Sequence, residues 1–173
     1  MTGETWTIRG RVWLFGSDLN TDLMMPGAVL FDTEEAQTRA LFSGHRPGWA
    51  DQVRPGDIVV AGRNFGCGSS RPAARSFANL GVACIVADGI NSLFLRGCVS
   101  YGMPALACPG ISGAVAEGDV VTLWPCEARV ELLGGAVLKA VSLPADLLRT
   151  MRAGGILPAL EQRGLISPSG TQG

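Results

Sequence analysis

The side chains best suited to chemistry lie in a short segment at residues 66–71, called here the Gly/Ser segment. It reads Gly66, Cys67, Gly68, Ser69, Ser70 and Arg71. An apolar run at 58–60 precedes it and a helix-favouring stretch at 73–80 follows, which predicts a strand, a turn and then a helix. Glycines let a ligand approach the backbone closely, and arginine can hold a carboxylate through two parallel hydrogen bonds. The segment therefore predicts a carboxylate-binding turn.

The start of the predicted helix supports the same interpretation. Ser69 and Ser70 are favoured N-cap types and Pro72 suits the first helical position, so free backbone N–H groups would face an anion. The spacing differs from that of a phosphate loop or a dinucleotide-binding loop, and no nucleophile-elbow pattern is present. A purely structural turn remains the alternative at this point.

Residues 64–71 resemble the signature turn of the swivelling domain of the aconitase superfamily, most closely that of the separate small subunits of 3-isopropylmalate dehydratases. The resemblance covers about residues 10–165. Further matching segments lie at 18–26, 102–104 and 153–158.

The chain pattern and the resemblance together lead to an expected fold. Strand-like runs at 6–15, 57–60, 81–87 and 105–108 alternate with helical stretches, and a glycine pair at 134–135 predicts a late hairpin. The resemblance implies an α/β fold, a swivelling β/β/α domain of the aconitase type, with a mixed or parallel sheet, flanking helices and short C-terminal strands. We expect one domain over residues 1–166 and a flexible tail at 167–173.

The resemblance also implies an activity and roles for residues. Family members are hydro-lyases that remove and add water next to a carboxylate. Ser69 matches the catalytic base, and Arg71 matches a substrate-carboxylate ligand, with Ser70 and the turn amide of Gly68 alongside. The pair Thr21 and Asp22, which composition alone would assign to a simple polar turn, matches the border of the substrate pocket.

Residues 27–33 match the loop that meets the variable substituent of the substrate in this superfamily. This chain has Phe31 near the position where an arginine of other members pairs with an extra carboxylate. Burying an unpaired carboxylate against Phe31 would be costly, which favours an apolar substituent, as in the 3-isopropylmalate of leucine biosynthesis. Arg39 or Arg46 folding back onto the loop is left open.

The cofactor and partner expectations follow from what the chain lacks. Its five cysteines form no C-x-x-C pair, and its net charge of −1 gives no reason to expect nucleic acid. No apolar run approaches 18 residues, so we expect a cytoplasmic protein that does not cross a membrane. The resemblance implies that this chain holds no cofactor and that a large subunit carries a [4Fe-4S] cluster, in a heterodimer or heterotetramer that acts on a small hydroxy acid.

One departure from the family pattern keeps alternatives open. The family motif continues after its arginine with Glu-His, whereas this chain has Pro72 and Ala73. Either Arg75 and other groups compensate, or the chain serves a related dehydratase acting on another alkylmalate or a tricarboxylate, such as citramalate, dimethylmalate or homoaconitate. A non-catalytic assembly or regulatory domain and a self-contained acid-binding domain are the further alternatives. His45 and Cys67 are interpreted as a surface-turn residue and a packing residue.

Overall fold

The computed structural model describes residues 5–68 and 71–168. The strands are β1 (Ile8–Leu14), β2 (Ile58–Ala61), β3 (Cys84–Ala87), β4 (Ala105–Ala107), β5 (Val120–Trp124), β6 (Arg129–Glu131) and β7 (Val137–Lys139). The α-helices are α1 (Thr21–Met24), α2 (Glu34–Arg39), α3 (Trp49–Gln52), α4 (Ala73–Asn79), α5 (Ser92–Tyr101), α6 (Ile111–Ala114), α7 (Ala145–Arg152) and α8 (Ile156–Gln162). Short 3-10 turns occupy Gly27–Val29 and Pro125–Glu127.

Within the described residues, the strands form one seven-stranded mixed sheet in the order β4-β3-β2-β1-β5-β6-β7. The β1–β4 half is parallel, with Val12 opposite Ile58 at the β1/β2 pairing. The β5–β7 half is antiparallel, with Ile8 opposite Leu123 where it joins β1. The predicted mixed sheet with short C-terminal strands is therefore confirmed.

Strands β2 and β3 are buried on both faces, which explains their continuous apolar sequence. In β2, Val59 and Ala61 join a cluster rich in aromatic residues, whereas Ile58 and Val60 join an aliphatic cluster on the other face. The aromatic cluster includes residues from α3, α4 and α5. These three helices therefore pack on one face of the sheet.

Two local details differ from the sequence prediction. Helix α4 begins at Ala73, one residue later than expected, because Pro72 has a non-helical ψ of 39° and serves as the N-cap without a side-chain cap bond. The polar turn before residue 25 contains α1, whose N-cap Asn20 accepts a hydrogen bond from the Leu23 N–H at 2.8 Å.

The hairpin at the glycine pair is confirmed, since β6 and β7 pair antiparallel across it.

The Asp57 side chain, just before β2, connects this strand to β1 and to the turn that precedes β2. Its carboxylate accepts hydrogen bonds from Arg11 Nη2 at 2.8 Å, Trp13 Nε1 at 2.7 Å and the Arg54 N–H at 2.9 Å. Burial opposes ionisation of Asp57, but these three donors outweigh it and hold the pKa of the carboxyl below its ordinary value. The ionised carboxylate therefore stabilises the β1/β2 pairing.

We expect Asp57→Asn to lower the free energy of unfolding by about 1–3 kcal/mol at pH 7, since it weakens a buried hydrogen-bonded charge. The pKa is lower in the folded state, so this contribution is present above the unfolded pKa of about 3.9 and is lost as pH falls through the folded value. Urea unfolding from pH 7 to pH 3 should show the difference between wild type and variant shrinking below about pH 4. The exposed Asp51→Asn is the control, and a difference that stays constant over this range would contradict the assignment.

Candidate functional site

Three loops meet at the carboxyl edge of the parallel strands. The loop after β2 lies between the loops that follow β1 and β3, and backbone hydrogen bonds join it to both. On one side, the Asp18 N–H donates to the Arg63 carbonyl at 2.8 Å and the Thr21 N–H to the Cys67 carbonyl at 2.9 Å. On the other side, the Phe65 N–H donates to the Gly89 carbonyl at 3.0 Å. These hydrogen bonds therefore fix the backbone that leads into the Gly/Ser segment.

Both glycines of the segment have the positive φ that the sequence predicts. Gly66 has a φ of 78° and Gly68 a φ of 97°. A Cβ at Gly66 would lie 2.3 Å from Cγ of the buried Phe94, and a Cβ at Gly68 would lie 3.5 Å from Thr21 Oγ1. Gly66 is thus required by close packing against α5, and Gly68 brings the backbone beside Thr21.

Arg71 is held at two points. Its Nε lies 2.8 Å from Asp22 Oδ1, and its Nη1 donates to the Met25 carbonyl at 2.6 Å. The arginine side chain is 18% exposed and the aspartate side chain 59% exposed, so the pair lies at the surface with the guanidinium on its inner side. These contacts orient the planar guanidinium, which is the group that binds carboxylates through paired hydrogen bonds.

A cavity of ≈ 280 Å³ opens beside this pair. Thr21, Gly66 and Arg71 contribute to one wall. Helix α5 contributes residues to the other wall, including Arg96, Ser100 and Tyr101. Guanidinium and hydroxyl groups next to apolar side chains give the cavity the chemistry to bind a small acid with an apolar part.

The structure brings most of the predicted site residues together. Thr21, Asp22, Gly68 and Arg71 lie within one neighbourhood around the cavity. Phe31 is 96% exposed and is not among the cavity residues that the structure describes. The predicted residues Ser69 and Ser70 lie outside the described residues.

The contribution of α5 to the cavity is not predicted by the sequence. The sequence pattern predicts no role for Arg96, Ser100 or Tyr101, although Leu93, Arg96 and Ser100 have the spacing of one helix face. That face was not connected to the Gly/Ser segment because the contact between α4 and α5 depends on the parallel sheet that places the two helices side by side.

Pro72 and Ala73, which replace the Glu-His of the family motif, lie at the cavity and in the core. Ala73 is fully buried in the aromatic cluster, and Pro72 lines the cavity. Arg75, considered above as a compensating group, donates from Nη2 to Gln37 Oε1 at 2.7 Å, and its guanidinium carbon lies 5.8 Å from the centre of the Tyr101 ring. Arg75 therefore reaches the cavity region through Tyr101 and connects α4 to α2 through Gln37.

The cysteines do not form a metal site in the part of the chain that the structure describes, where no three His, Cys, Asp or Glu side chains come together as possible ligands. Burial raises the pKa of the Cys84 and Cys98 thiols and raises that of Cys108 to about 11. The geometry of the described side chains therefore offers no group of ligands for an iron–sulfur cluster.

Comparison with known proteins places this geometry in a family. The model of the aconitase C-terminal domain matches residues 29–109. The isopropylmalate/citramalate isomerase small subunit of Methanocaldococcus jannaschii is 38% identical over 160 residues, which cover 90% of this chain and 95% of the relative. The chain belongs to the isopropylmalate dehydratase small-subunit family. This confirms the resemblance inferred from residues 64–71.

Further members of the small-subunit family agree. The 3-isopropylmalate dehydratase small subunit 1 of Methanopyrus kandleri is 36% identical, covering 91% of this chain and 94% of the relative. The crystal structure of a 3-isopropylmalate dehydratase chain from Methanocaldococcus jannaschii superposes with a TM-score of 0.84 at 26% identity, covering 92% of this chain and 96% of that one. The expected aconitase-type fold is therefore confirmed. Among the described residues, the helices are all too short or too polar to span a bilayer.

Gly66→Ala tests whether the Gly/Ser segment depends on contact with α5. We expect a loss of about 2–4 kcal/mol in the free energy of unfolding, from the cost of a positive φ and from overpacking against Phe94. Gly118→Ala is the matched control, because its φ is 93° but a Cβ there would meet nothing within 4 Å. Urea unfolding of both variants should show the larger loss at residue 66, and equal losses would contradict the packing argument.

Proposed function

We propose that this chain is the small subunit of a hydro-lyase that interconverts 3-isopropylmalate and 2-isopropylmalate, as in leucine biosynthesis. The observation that supports this most directly is the cluster of Thr21, Asp22, Gly68 and Arg71 beside a cavity. These are residues that the family resemblance assigned to substrate binding from sequence. The small-subunit names of relatives that match nearly the whole chain point to the same reaction class.

Ser69 is proposed as the base that removes the proton next to a substrate carboxylate. A serine hydroxyl is a very weak acid, so this role needs positive charge and hydrogen-bond donors nearby. Arg71 follows Ser69 by two residues and carries that charge. The Asp22 carboxylate and the Met25 carbonyl orient the guanidinium so that it can bind a carboxylate of the substrate, with Ser70 and the turn amides alongside.

The substrate is proposed to carry an apolar substituent. Residues 27–33 contain no cation, and their only charged residue is Asp32. An additional carboxylate on the substrate would meet Phe31 and a like charge, which costs binding free energy. A second candidate, a related alkylmalate such as citramalate, is favoured by the name of the Methanocaldococcus jannaschii relative.

The reaction is proposed to require a separately encoded large subunit. The described cysteines do not come together in a group of three possible metal ligands, and the relatives are named as small subunits. A [4Fe-4S] cluster on the large subunit would act as a Lewis acid toward the departing hydroxyl. The face that carries Asp22 and the Gly/Ser segment would dock there, in a heterodimer or heterotetramer.

The test is an anaerobic assay of this chain mixed with a cluster-loaded large subunit, against 3-isopropylmalate, citramalate, dimethylmalate, citrate and homocitrate. We expect no turnover by either subunit alone, and a kcat/KM for 3-isopropylmalate at least about 100-fold above that for citrate. Phe31→Arg should lower the ratio of kcat/KM for 3-isopropylmalate to that for citrate, because the arginine supplies a cation for the additional carboxylate of citrate. Phe31→Leu should leave this ratio largely unchanged.

Other outcomes of this assay would support one of the alternatives or contradict part of the proposal. A preference for citramalate would support the second candidate, and a preference for citrate would contradict the role of Phe31. Micromolar binding of these acids by the isolated chain would indicate a self-contained acid-binding domain. If the large subunit were fully active without this chain, this chain would have only an assembly or regulatory role.

A further inference from the structure

Gln37 is a buried side chain that the proposed chemistry does not use. It lies on α2 and is 4% exposed. Its Nε2 donates to the Leu30 carbonyl at 2.8 Å and to the Asp32 carbonyl at 3.3 Å, and its Oε1 accepts from Arg75 Nη2 at 2.7 Å. One amide therefore connects α4 to the two carbonyls on either side of Phe31.

Burial of this amide has a cost that its hydrogen bonds must offset. An amide removed from water is stabilised in a folded protein only when its donors and acceptor are paired. Gln37 has both of its donor bonds on the backbone around Phe31 and its acceptor bond on the guanidinium of Arg75. This pairing fixes the distance between α4 and the backbone that carries Phe31.

The backbone that carries Phe31 is also held near residue 25, by Arg71, which lies two residues before α4. Arg71 Nη1 donates to the Met25 carbonyl at 2.6 Å, and a Cβ at Gly27 would lie 3.7 Å from that nitrogen. Residues 25–32 are therefore attached at two points, directly to Arg71 at the end of the Gly/Ser segment and through Gln37 to Arg75 of α4. Phe31 projects from this segment with 96% of its surface exposed.

We propose that Gln37 is a positioning residue that sets substrate specificity by fixing Phe31 relative to Arg71. The inference rests on the proposed function, since it takes Phe31 as the contact for the apolar substituent. Arg71 holds the substrate carboxylate and Phe31 covers the substituent, so the separation between them selects the substituent's size. Gln37 and Arg75 fix that separation without touching the substrate.

A simpler role would be to fasten α2 to α4, and the chain offers a matched control for it. Asn79 on α4 donates from Nδ2 to Glu34 Oε1 at 2.8 Å and to Thr38 Oγ1 at 3.2 Å, and both partners lie on α2. Asn79→Ala therefore removes a connection between the same helices and leaves the bonds to Leu30 and Asp32 in place.

The first measurement is hydrogen exchange of the backbone amides at 27–33 in the full chain, which needs no turnover. Gln37→Met keeps the length of the side chain and removes all three hydrogen bonds, so exchange there should accelerate about tenfold or more. Gln37→Glu keeps an acceptor for Arg75 but has no N–H donors, and it should accelerate exchange as well. Asn79→Ala should leave these amides unchanged. Unchanged exchange in Gln37→Met, or equal acceleration in Asn79→Ala, would overturn the proposal.

The second measurement is the ratio of kcat/KM for 3-isopropylmalate to that for 3-methylmalate in the complex with the large subunit. Loss of the Phe31 contact affects the larger substituent more, so the ratio should fall about tenfold in Gln37→Met and stay unchanged in Asn79→Ala. In Phe31→Ala, the additional Gln37→Met substitution should change the ratio less than twofold, because both act through one contact.

The outcomes separate this proposal from the proposed function. A ratio that falls in Phe31→Ala but not in Gln37→Met would overturn the role of Gln37 and leave the function intact. If the wild-type complex turned over no alkylmalate, the proposed function would fail, and with it the specificity role. The exchange measurement would still decide whether Gln37 fixes the segment.

Discussion

The candidate site depends on backbone hydrogen bonds that join three loops at one edge of a parallel sheet. Parallel strands end at the same edge, so the loops after β1, β2 and β3 become neighbours there. The middle loop is bonded on both sides, through the Thr21 N–H and through the Phe65 N–H. That pairing brings residue 21 beside residue 67, and the Asp22–Arg71 ion pair forms next to it. A surface ion pair alone would contribute too little to hold this geometry.

Much of this arrangement could be predicted from the sequence, because it depends on local rules. The buried apolar run of β2, the glycines that need positive φ and the glycine pair of the β6/β7 hairpin each follow from residue type and spacing. The neighbourhood of Thr21, Asp22 and Arg71 was expected from the family resemblance, and the structure shows the ion pair that links two of them. Their roles in binding substrate remain predictions.

The features that could not be predicted are those that depend on packing between distant elements. Arg96, Ser100 and Tyr101 reach the cavity because α5 packs beside α4. Gln37 reads as an ordinary polar residue of a short helix, and only the fold shows that it is buried against Leu30, Asp32 and Arg75. The start of α4 was misplaced by one residue because Pro72 fits a helix start in φ while its ψ is set by the turn before it.

Ser69 is proposed as the base that removes the substrate proton, and this role can be tested by following that proton. In the assembled complex, 3-isopropylmalate carrying deuterium at C3, the carbon that bears the isopropyl group and loses its proton on dehydration, would be assayed for release of deuterium to water. We expect Ser69→Ala to slow this release by about 100-fold or more, since a general base contributes about 10²–10⁴-fold. The control Ser142→Ala changes an exposed serine and should leave the release unchanged. Release at the wild-type rate from Ser69→Ala would show that Ser69 is not the base.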